Sequence, residues 1–547
     1  MLVAEAVGRA VAQLGADRVF GVVGSGNFHV TNALVAAGAE FVAARHEGGA
    51  ATMADAYTRM SGRLGVLSVH QGPGLTNAMT GITEAAKSRT PLLVLAADTG
   101  AGALRSNFRI DQAGLVTAVG AIAERIHSAE SALADTARAV RRAVQERRTV
   151  VLNLPLDVQA MELPAGAELP PAPELHRPAA AQPTVTALAD LLAGARRPVF
   201  LAGRGGRQAG AELSALANRC GALLATSAVA RGLFAGHPWS LDVSGGFASP
   251  LAAELITGAD VVVAWGCALN MWTTRHGRLI SPQATVAQVD LDPDAIGAHR
   301  PVQLGALGDV AATASAVDAE LAGRGHLSAG YREPALADRI AANIRWRDVP
   351  YQDTSTATEI DPRTLSIELD DLLPAERQVA VDSGNFLGYP SMFLSVPDEL
   401  GFCFTQAFQS IGLGLATAIG AALAQPGRLT VAALGDGGAL MGIADLDTAV
   451  RLRLPLVVVV YDDHAYGAEV HHFGPDGFPL ENVRFPDTDI AAIGRGFGCT
   501  GVTVRTVADL AAVPAWLAGP RDAPLLLDAK VTGEHGAWWL AEAFRGH

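Results

Sequence analysis

Leu429 to Gly467 reads LTVAALGDGGALMGIADLDTAVRLRLPLVVVVYDDHAYG. The β-branched run LTVAAL stops at Gly435-Asp436-Gly437-Gly438, a helical stretch follows, and the apolar run LVVVVY stops at Asp462-Asp463-His464-Ala465-Tyr466-Gly467. Two short apolar strands joined through a helix predict parallel neighbours, because a parallel pair needs a crossover connection. Both strand ends then offer acid at the carboxyl edge of a sheet, where open α/β sheets place ligands. A glycine turn before a helix bares backbone N–H groups at the positive end of the helix dipole and can cradle a diphosphate. A carboxylate beside that cradle calls for a hard cation as a bridge, and Mg²⁺ fits because it takes oxygen ligands together with substrate phosphates. An Asp-Gly turn alone is common; the second acidic strand end gives the pattern its weight.

The same alternation extends outward in both directions. Strand-like runs at Val66 to Val69, Leu92 to Leu95, Val150 to Leu154, Pro198 to Leu201, Val261 to Trp265 and Val379 to Val381 are separated by Ala-rich helical stretches. Two Pro-rich or polar stretches interrupt the pattern, Leu163 to Pro183 and the region around Pro350 to Pro362. The expected fold is therefore α/β, with three doubly wound parallel-sheet domains. The expected boundaries are 1–162, 184–325 and 361–547, with linkers at 163–183 and 326–360.

Composition narrows the function. At 547 residues, half of them hydrophobic and 18% charged, the chain is long and apolar enough to bury several cores. Its net charge of −14 and the lack of a Lys/Arg-rich block argue against nucleic acid as a partner. No apolar run approaches the ~20 residues of a membrane span, and residues 1–15 lack the basic start and cleavage site of a secretory signal. The four cysteines, Cys220, Cys267, Cys403 and Cys499, stand far apart and predict buried thiols in a reducing compartment. A cytoplasmic protein with no membrane partner is expected.

The Gly435 to Gly467 pattern resembles the signature of thiamine-diphosphate-dependent enzymes, a GDG followed downstream by an Asn pair and an aromatic-Gly. The resemblance implies that Asp436 and Asp463 bind Mg²⁺ through their side chains and Ala465 through its carbonyl, that Gly437 and Gly438 contact the diphosphate, and that Tyr466 and Gly467 complete the loop. In this chain the Asn pair is Asp462-Asp463, which adds negative charge beside the diphosphate. Gln409-Ser410-Ile411-Gly412 resembles the segment whose apolar residue wedges under the bent cofactor; Ile411 would be that wedge, and the Gln409 carbonyl would accept from the cofactor's amino group. Taken alone, Ile411 reads rather as a core residue at a helix start. Asp382-Ser383-Gly384-Asn385-Phe386, after the strand VAV, resembles a further diphosphate-side contact, for which Gly384 and Asn385 are the candidates. Arg45-His46-Glu47-Gly48-Gly49 resembles the segment carrying the acid that protonates the pyrimidine nitrogen, which makes Glu47 the activating residue; by itself it could equally be a Glu favoured at a helix N-terminus. The likeness covers essentially the whole chain and implies pyrimidine-binding, central and diphosphate-binding domains in that order.

The loop His70-Gln71-Gly72-Pro73-Gly74-Leu75-Thr76-Asn77 resembles the SGPGxTN loop of acetolactate synthases. In this family Glu47 and that loop lie on one chain and the diphosphate end on its partner, which implies a homodimer at least and a dimer of dimers as the common assembly. The implied substrates are a small 2-oxo acid and a carbonyl acceptor, joined by way of a cofactor ylid and enamine in an acetolactate-synthase-like carboligation. Against that stands Phe108-Arg109, where acetolactate synthases carry Gln-Glu. Benzoylformate decarboxylases carry a His at the loop start and a Ser in the first strand-end loop, corresponding to His70 and Ser25, with a further His in the central domain for which His276 is the candidate. His29, in GSGNFH, is a third candidate for proton transfer, and Gln71 lines the same loop. Simple decarboxylation or aldehyde release is thus the alternative reaction, and a catalytically silent cofactor-binding subunit is the alternative of another class. His471-His472 reads as a solvated pair, and the Gly203 to Gly206 turn does not support FAD.

Overall fold

The computed structural model describes residues 1–171, 173, 175–533, 535–543 and 545. Among them, three six-stranded sheets follow one another along the chain. The first contains β1 (Arg18–Gly21), β2 (Glu40–Ala43), β3 (Gly65–Val69), β4 (Leu92–Asp98), β5 (Ile122–Arg125) and β6 (Thr149–Pro155), in the order β2-β1-β3-β4-β6-β5. The second contains β7 (Pro198–Ala202), β8 (Leu223–Thr226), β9 (Ser240–Val243), β10 (Val261–Trp265), β11 (Thr285–Asp290) and β12 (Leu304–Leu307), in the order β12-β11-β10-β7-β8-β9. The third contains β13 (Arg377–Val381), β14 (Phe402–Phe404), β15 (Leu429–Gly435), β16 (Leu456–Asp462), β17 (Thr500–Val504) and β18 (Leu525–Lys530), in the order β14-β13-β15-β16-β18-β17. All the ladders between these strands are parallel.

Parallel sheets are covered by helices on both faces, so their inner strands must be apolar on both sides. β3, β4, β6, β7, β10 and β13 are buried at every residue, which is why the sequence shows them as unbroken apolar runs. The first and third sheets share one strand order; the central sheet has the order of dinucleotide-binding folds. All four cysteines are buried thiols. No helix among the described residues is long and apolar enough to cross a membrane.

The 326–360 segment, expected as a linker, carries the helix Pro334–Asn343. Ile340 is buried in the central domain's core, with Leu336 and Ile344 packed against it, so that domain's packing extends beyond residue 325. Apolar residues one turn apart outweigh the polar composition around them.

The first and third domains meet through the helices Glu47–Ser61 and Gly414–Ala424. Both are rich in Gly and Ala, and residues of both belong to one continuous apolar core. Gly420 lies so close to the other helix that an added Cβ would strike the Met53 carbonyl oxygen and stand 2.9 Å from the Ala56 Cβ. Gly to Ala in a helix interior is normally worth up to about 1 kcal/mol of stability. Here overpacking, typically about 1–3 kcal/mol, reverses the sign. Gly420→Ala is expected to lower the melting temperature, and an unchanged or raised value in differential scanning calorimetry would contradict this close approach.

Candidate active site

β13, β15 and β16 are adjacent, and the chain reverses direction across the sheet between β13 and β15, the switch point at which α/β folds open a crevice. Three loops converge there: 382–385 after β13, 436–438 after β15 and 463–467 after β16. Their fit requires glycine. A Cβ on Gly438 would strike Asp382 Oδ2, and one on Gly467 would strike Asp463 Oδ2 while standing 3.1 Å from Asn385 Nδ2. Gly437 lies beneath the Tyr466 ring, its Cβ position 2.6 Å from Cε1. The C-terminal segment closes over the first loop, with Ala537 N–H donating to Asn385 Oδ1 (3.0 Å) and Trp539 Nε1 to the Asn385 carbonyl (3.0 Å).

Two carboxylates face this cradle. Burial raises Asp436 to about 8, and the nearby charges of Asp463 and Asp462 push the same way. Burial likewise raises Asp463 to about 6, opposed by the Ala465 N–H and the Asn385 amide. Neither has a Lys, Arg or His ion-pair partner among the described residues. Two buried oxygen donors of like charge, with Ala465 beside them, form a donor set suited to a hard divalent cation. Asp462 is different. It is buried, does not line the cleft, and accepts from Lys530 Nζ at 2.6 Å and from His464 N–H at 3.0 Å. Of the two acids of the pair, only Asp463 lines the cleft.

Asp382, fully buried, organises the neighbouring loop. Its carboxylate accepts from the N–H of Ser383 (2.8 Å), Gly412 (2.9 Å) and Leu413 (3.2 Å). Burial raises it to about 6 against those bonds. The bonds shape the turn in which Gln409 has φ 61° and Gly412 φ 88°. Ile411 is half-buried and lines the cleft, outside the apolar cores; Gln409 is exposed and lines it as well, and the Ser410 hydroxyl donates to the Ile411 carbonyl (3.2 Å). The other end of the turn is tied to the first domain, where Glu84 accepts from Phe408 N–H (2.6 Å) and Ala407 N–H (3.1 Å). Burial would raise Glu84, but Arg59, at 2.8 Å, and these N–H groups hold it below its ordinary value.

The first domain presents its own loops at the ends of the adjacent strands β2, β1 and β3. Glu47 is the first residue of its helix, half-buried, and accepts from Asn77 Nδ2 at 3.0 Å. His46 caps that helix by accepting from Gly48 N–H. Ser25 Oγ lies 3.3 Å from His70 Nε2, and His70 Nδ1 lies 2.9 Å from the Gln71 carbonyl. A carbonyl only accepts, so Nδ1 carries a proton, and in the neutral ring Nε2 then accepts from Ser25. Phe108 meets His70 edge to face with centroids 5.0 Å apart. Gln71 is buried with its Oε1 unpaired, and the Gly72 N–H donates to Gln112 at 2.9 Å. His29 is exposed on the helix Phe28–Ala36 and packs against Phe28.

A cleft of about 2340 Å³ contains Gly384, Asn385, Gln409, Ile411, Asp436, Gly437, Gly438, Asp463, Ala465, Tyr466 and Gly467, and continues along the central domain. Ser25, His29, Glu47, His70, Gln71 and His276 do not line it. His276 Nε2 instead lies 2.8 Å from the Glu542 carbonyl, in the central domain, and the structure does not bring it to His70. His471 is half-buried and held below its ordinary pKa by burial and by His535. The Gly203 to Gly206 turn has a packing reason: a Cβ on Gly203 would strike the Gly266 carbonyl, and one on Gly205 would stand 2.8 Å from the Gly266 Cα.

The sequence marks Asp382 only as part of the 382–386 strand-end loop and leaves the Arg59–Glu84 anchor and Lys530 unassigned. Of the latter, only Lys530 carried a local signal, as a lysine ending the apolar strand LLLDAK.

Comparison with known proteins agrees with this geometry. Residues 1–116 match the N-terminal TPP binding domain of thiamine pyrophosphate enzymes, residues 185–317 the central domain and residues 382–529 the C-terminal TPP binding domain. The chain is 30% identical to a sulfoacetaldehyde acetyltransferase of Alcaligenes xylosoxydans xylosoxydans, over 91% of this chain and 87% of the relative. It is 31% identical to a probable 2-ketoarginine decarboxylase of Pseudomonas aeruginosa (92% and 89%) and 29% identical to a putative acetolactate synthase large subunit of Mycobacterium tuberculosis (87% and 88%). With three domains matched in order along the chain, it belongs to the thiamine pyrophosphate enzyme family.

Proposed function

We propose that this chain is a thiamine-diphosphate- and Mg²⁺-dependent enzyme that cleaves 2-oxo acids beside the keto carbon and transfers the remaining acyl unit to a carbonyl acceptor. The observation that carries the reading is the pair of buried carboxylates Asp436 and Asp463, without a cationic partner among the described residues, set against a glycine cradle at the switch point. When bound, thiamine diphosphate supplies a carbon nucleophile and a sink for the electrons released as CO₂ leaves. Asp436, Asp463 and the Ala465 carbonyl would hold the metal, and Gly384, Asn385, Gly437 and Gly438 would border the diphosphate. Ile411 would support the cofactor from below, in a turn that Asp382 holds. Glu47 would hydrogen-bond the pyrimidine nitrogen and hold a proton there. Because Glu47 and the His70 loop lie outside the cleft of their own chain, a second copy would complete each site. The relatives named above are an acetyltransferase, a decarboxylase and an acetolactate synthase, which supports acyl transfer or decarboxylation as the class of chemistry.

The Ser25–His70 pair favours a second reading, aldehyde release. A neutral imidazole whose Nε2 faces a hydroxyl can relay a proton to the carbon left after decarboxylation. Incubation with Mg²⁺, thiamine diphosphate and pyruvate, benzoylformate or 2-ketoarginine, with and without sulfoacetaldehyde, separates the readings by product mass. Transfer predicts 2-hydroxyketones or a new acetylated product; release predicts aldehydes and a sharp loss of rate in His70→Ala. CO₂ evolution from none of the acids would favour a silent cofactor-binding subunit.

Two further outcomes are expected. Glu47→Gln should slow hydrogen exchange at the cofactor's C2 by about 10²-fold or more, the usual scale of a lost acid-base group, while binding is retained; unchanged exchange would remove Glu47 from this role. In the metal-free protein Asp436, raised to about 8, holds its proton more tightly folded than unfolded. Asp445 and Asp463, raised by burial to about 7 and about 6, act in the same direction. Stability should therefore fall as pH rises from about 4 to about 8. Mg²⁺ with thiamine diphosphate should flatten that slope in thermal melts, and a slope indifferent to the metal would contradict the ligand assignment.

A further inference from the structure

Asp462 and Lys530 are register partners on the adjacent strands β16 and β18, and both side chains are buried. Besides Asp462 Oδ2 at 2.6 Å, Lys530 Nζ lies 2.7 Å from Asp487 Oδ1, 3.2 Å from Asp528 Oδ2 and 2.9 Å from the Thr488 carbonyl. His464 Nδ1 lies 3.0 Å from Asp462 Oδ1 and 4.0 Å from Asp487, whose other oxygen is 3.7 Å from Arg505. Asp462, His464 and Asp487 are close enough to share a cation, and the Lys530 ammonium stands within reach of both acids.

The other oxygen of Asp462 accepts the His464 N–H, within the turn that carries Asp463 and Ala465. One carboxylate thus connects the buried ammonium to the backbone of the metal loop. Successive strand residues point to opposite faces, so Asp462 turns toward Lys530 while Asp463 turns toward the cleft. Without an opposite charge at Lys530, three acids would bear on the site that must accept a diphosphate.

We propose that Lys530 is a positioning residue for the cofactor loop: it neutralises the acid at 462 from behind β16 and holds the 462–465 turn, so that Asp463 and Asp436 alone meet the metal. This rests on the functional reading above. It predicts that the acid at 462 is not a handicap for Mg²⁺ binding while Lys530 is present.

The test uses the full chain as wild type, Lys530→Met, Asp462→Asn and the double variant. Its readouts are Mg²⁺-dependent binding of thiamine diphosphate by tryptophan fluorescence and the melting temperature of the cofactor-free protein. Lys530→Met should weaken binding by about tenfold or more, and adding Asp462→Asn should restore it to within about threefold of wild type, because removing both charges leaves nothing uncompensated at this pair. A double variant that binds as poorly as Lys530→Met overturns the proposal, since Lys530 would then serve only to hold Asp487 and Asp528. If Lys530→Met does not fold, Asp462→Asn decides: affinity within about threefold of wild type supports compensation, and about tenfold tightening shows that the charge at 462 was never neutralised. A wild-type chain that binds no thiamine diphosphate overturns the cofactor reading instead. The cofactor-free melts then decide the pairing, with Asp462→Asn raising the melting temperature of Lys530→Met if it holds and lowering it further if it does not.

Discussion

The helices Glu47–Ser61 and Gly414–Ala424 approach so closely that their backbones, rather than their side chains, make much of the contact between the first and third domains. Two of the candidate site segments are mounted at their ends. Glu47 opens one helix, and the Gln409 to Gly412 turn leads into the other. Because cores are packed like crystals, a displacement at this contact cannot be absorbed locally and would move both ends together. The small residues of the two helices thus set how the acid and the cofactor turn lie relative to each other on one chain, and a pair of chains would inherit that geometry twice.

Around this contact the protein keeps a group of carboxylates away from water, and each is handled differently. Glu84 has Arg59 and two backbone N–H groups; Asp382 has three backbone N–H groups; Asp462 has a buried lysine. Asp436 and Asp463 have no cationic partner among the described residues, only N–H and amide bonds that fail to offset their burial, which is costly for such groups. That contrast sets the two acids proposed as metal ligands apart from those paired with Arg59 and Lys530. It also explains why a count of negative charges along the sequence overstates the repulsion at the diphosphate end.

Much of this was legible in the sequence for a definite reason. Parallel strands covered on both faces leave unbroken apolar runs, so β3, β4, β6, β7, β10, β13, β15 and β16 announce themselves, and the glycine-bearing turns after them mark the crevice. The linker expected at 326–360 failed because Leu336, Ile340 and Ile344 recur every four residues within a polar stretch, a helical signal that composition hides. Ile411 reads by resemblance as a wedge under the cofactor and taken alone as a core residue at a helix start; the Asp382 bonds turn the chain there, and it lies half-buried at the cleft. Pairings between distant residues left no trace at all: Lys530 and Asp462, or Glu84 and Phe408, are joined only by the topology that brings their strands and helices together.

The opposition of Lys530 and Asp462 across β16 and β18 bears on how the sheet finds its alignment. β18 begins Leu525-Leu526-Leu527 and is buried at every residue, so its apolar part offers both faces alike and would tolerate a slip along its neighbour. A shift by one residue turns every side chain to the other face. It would carry the ammonium away from Asp462 and drop Asp528 and Lys530 among hydrocarbon, at a cost no leucine contact could offset. One buried charge pair therefore discriminates among strand alignments that hydrophobic burial alone would leave nearly degenerate.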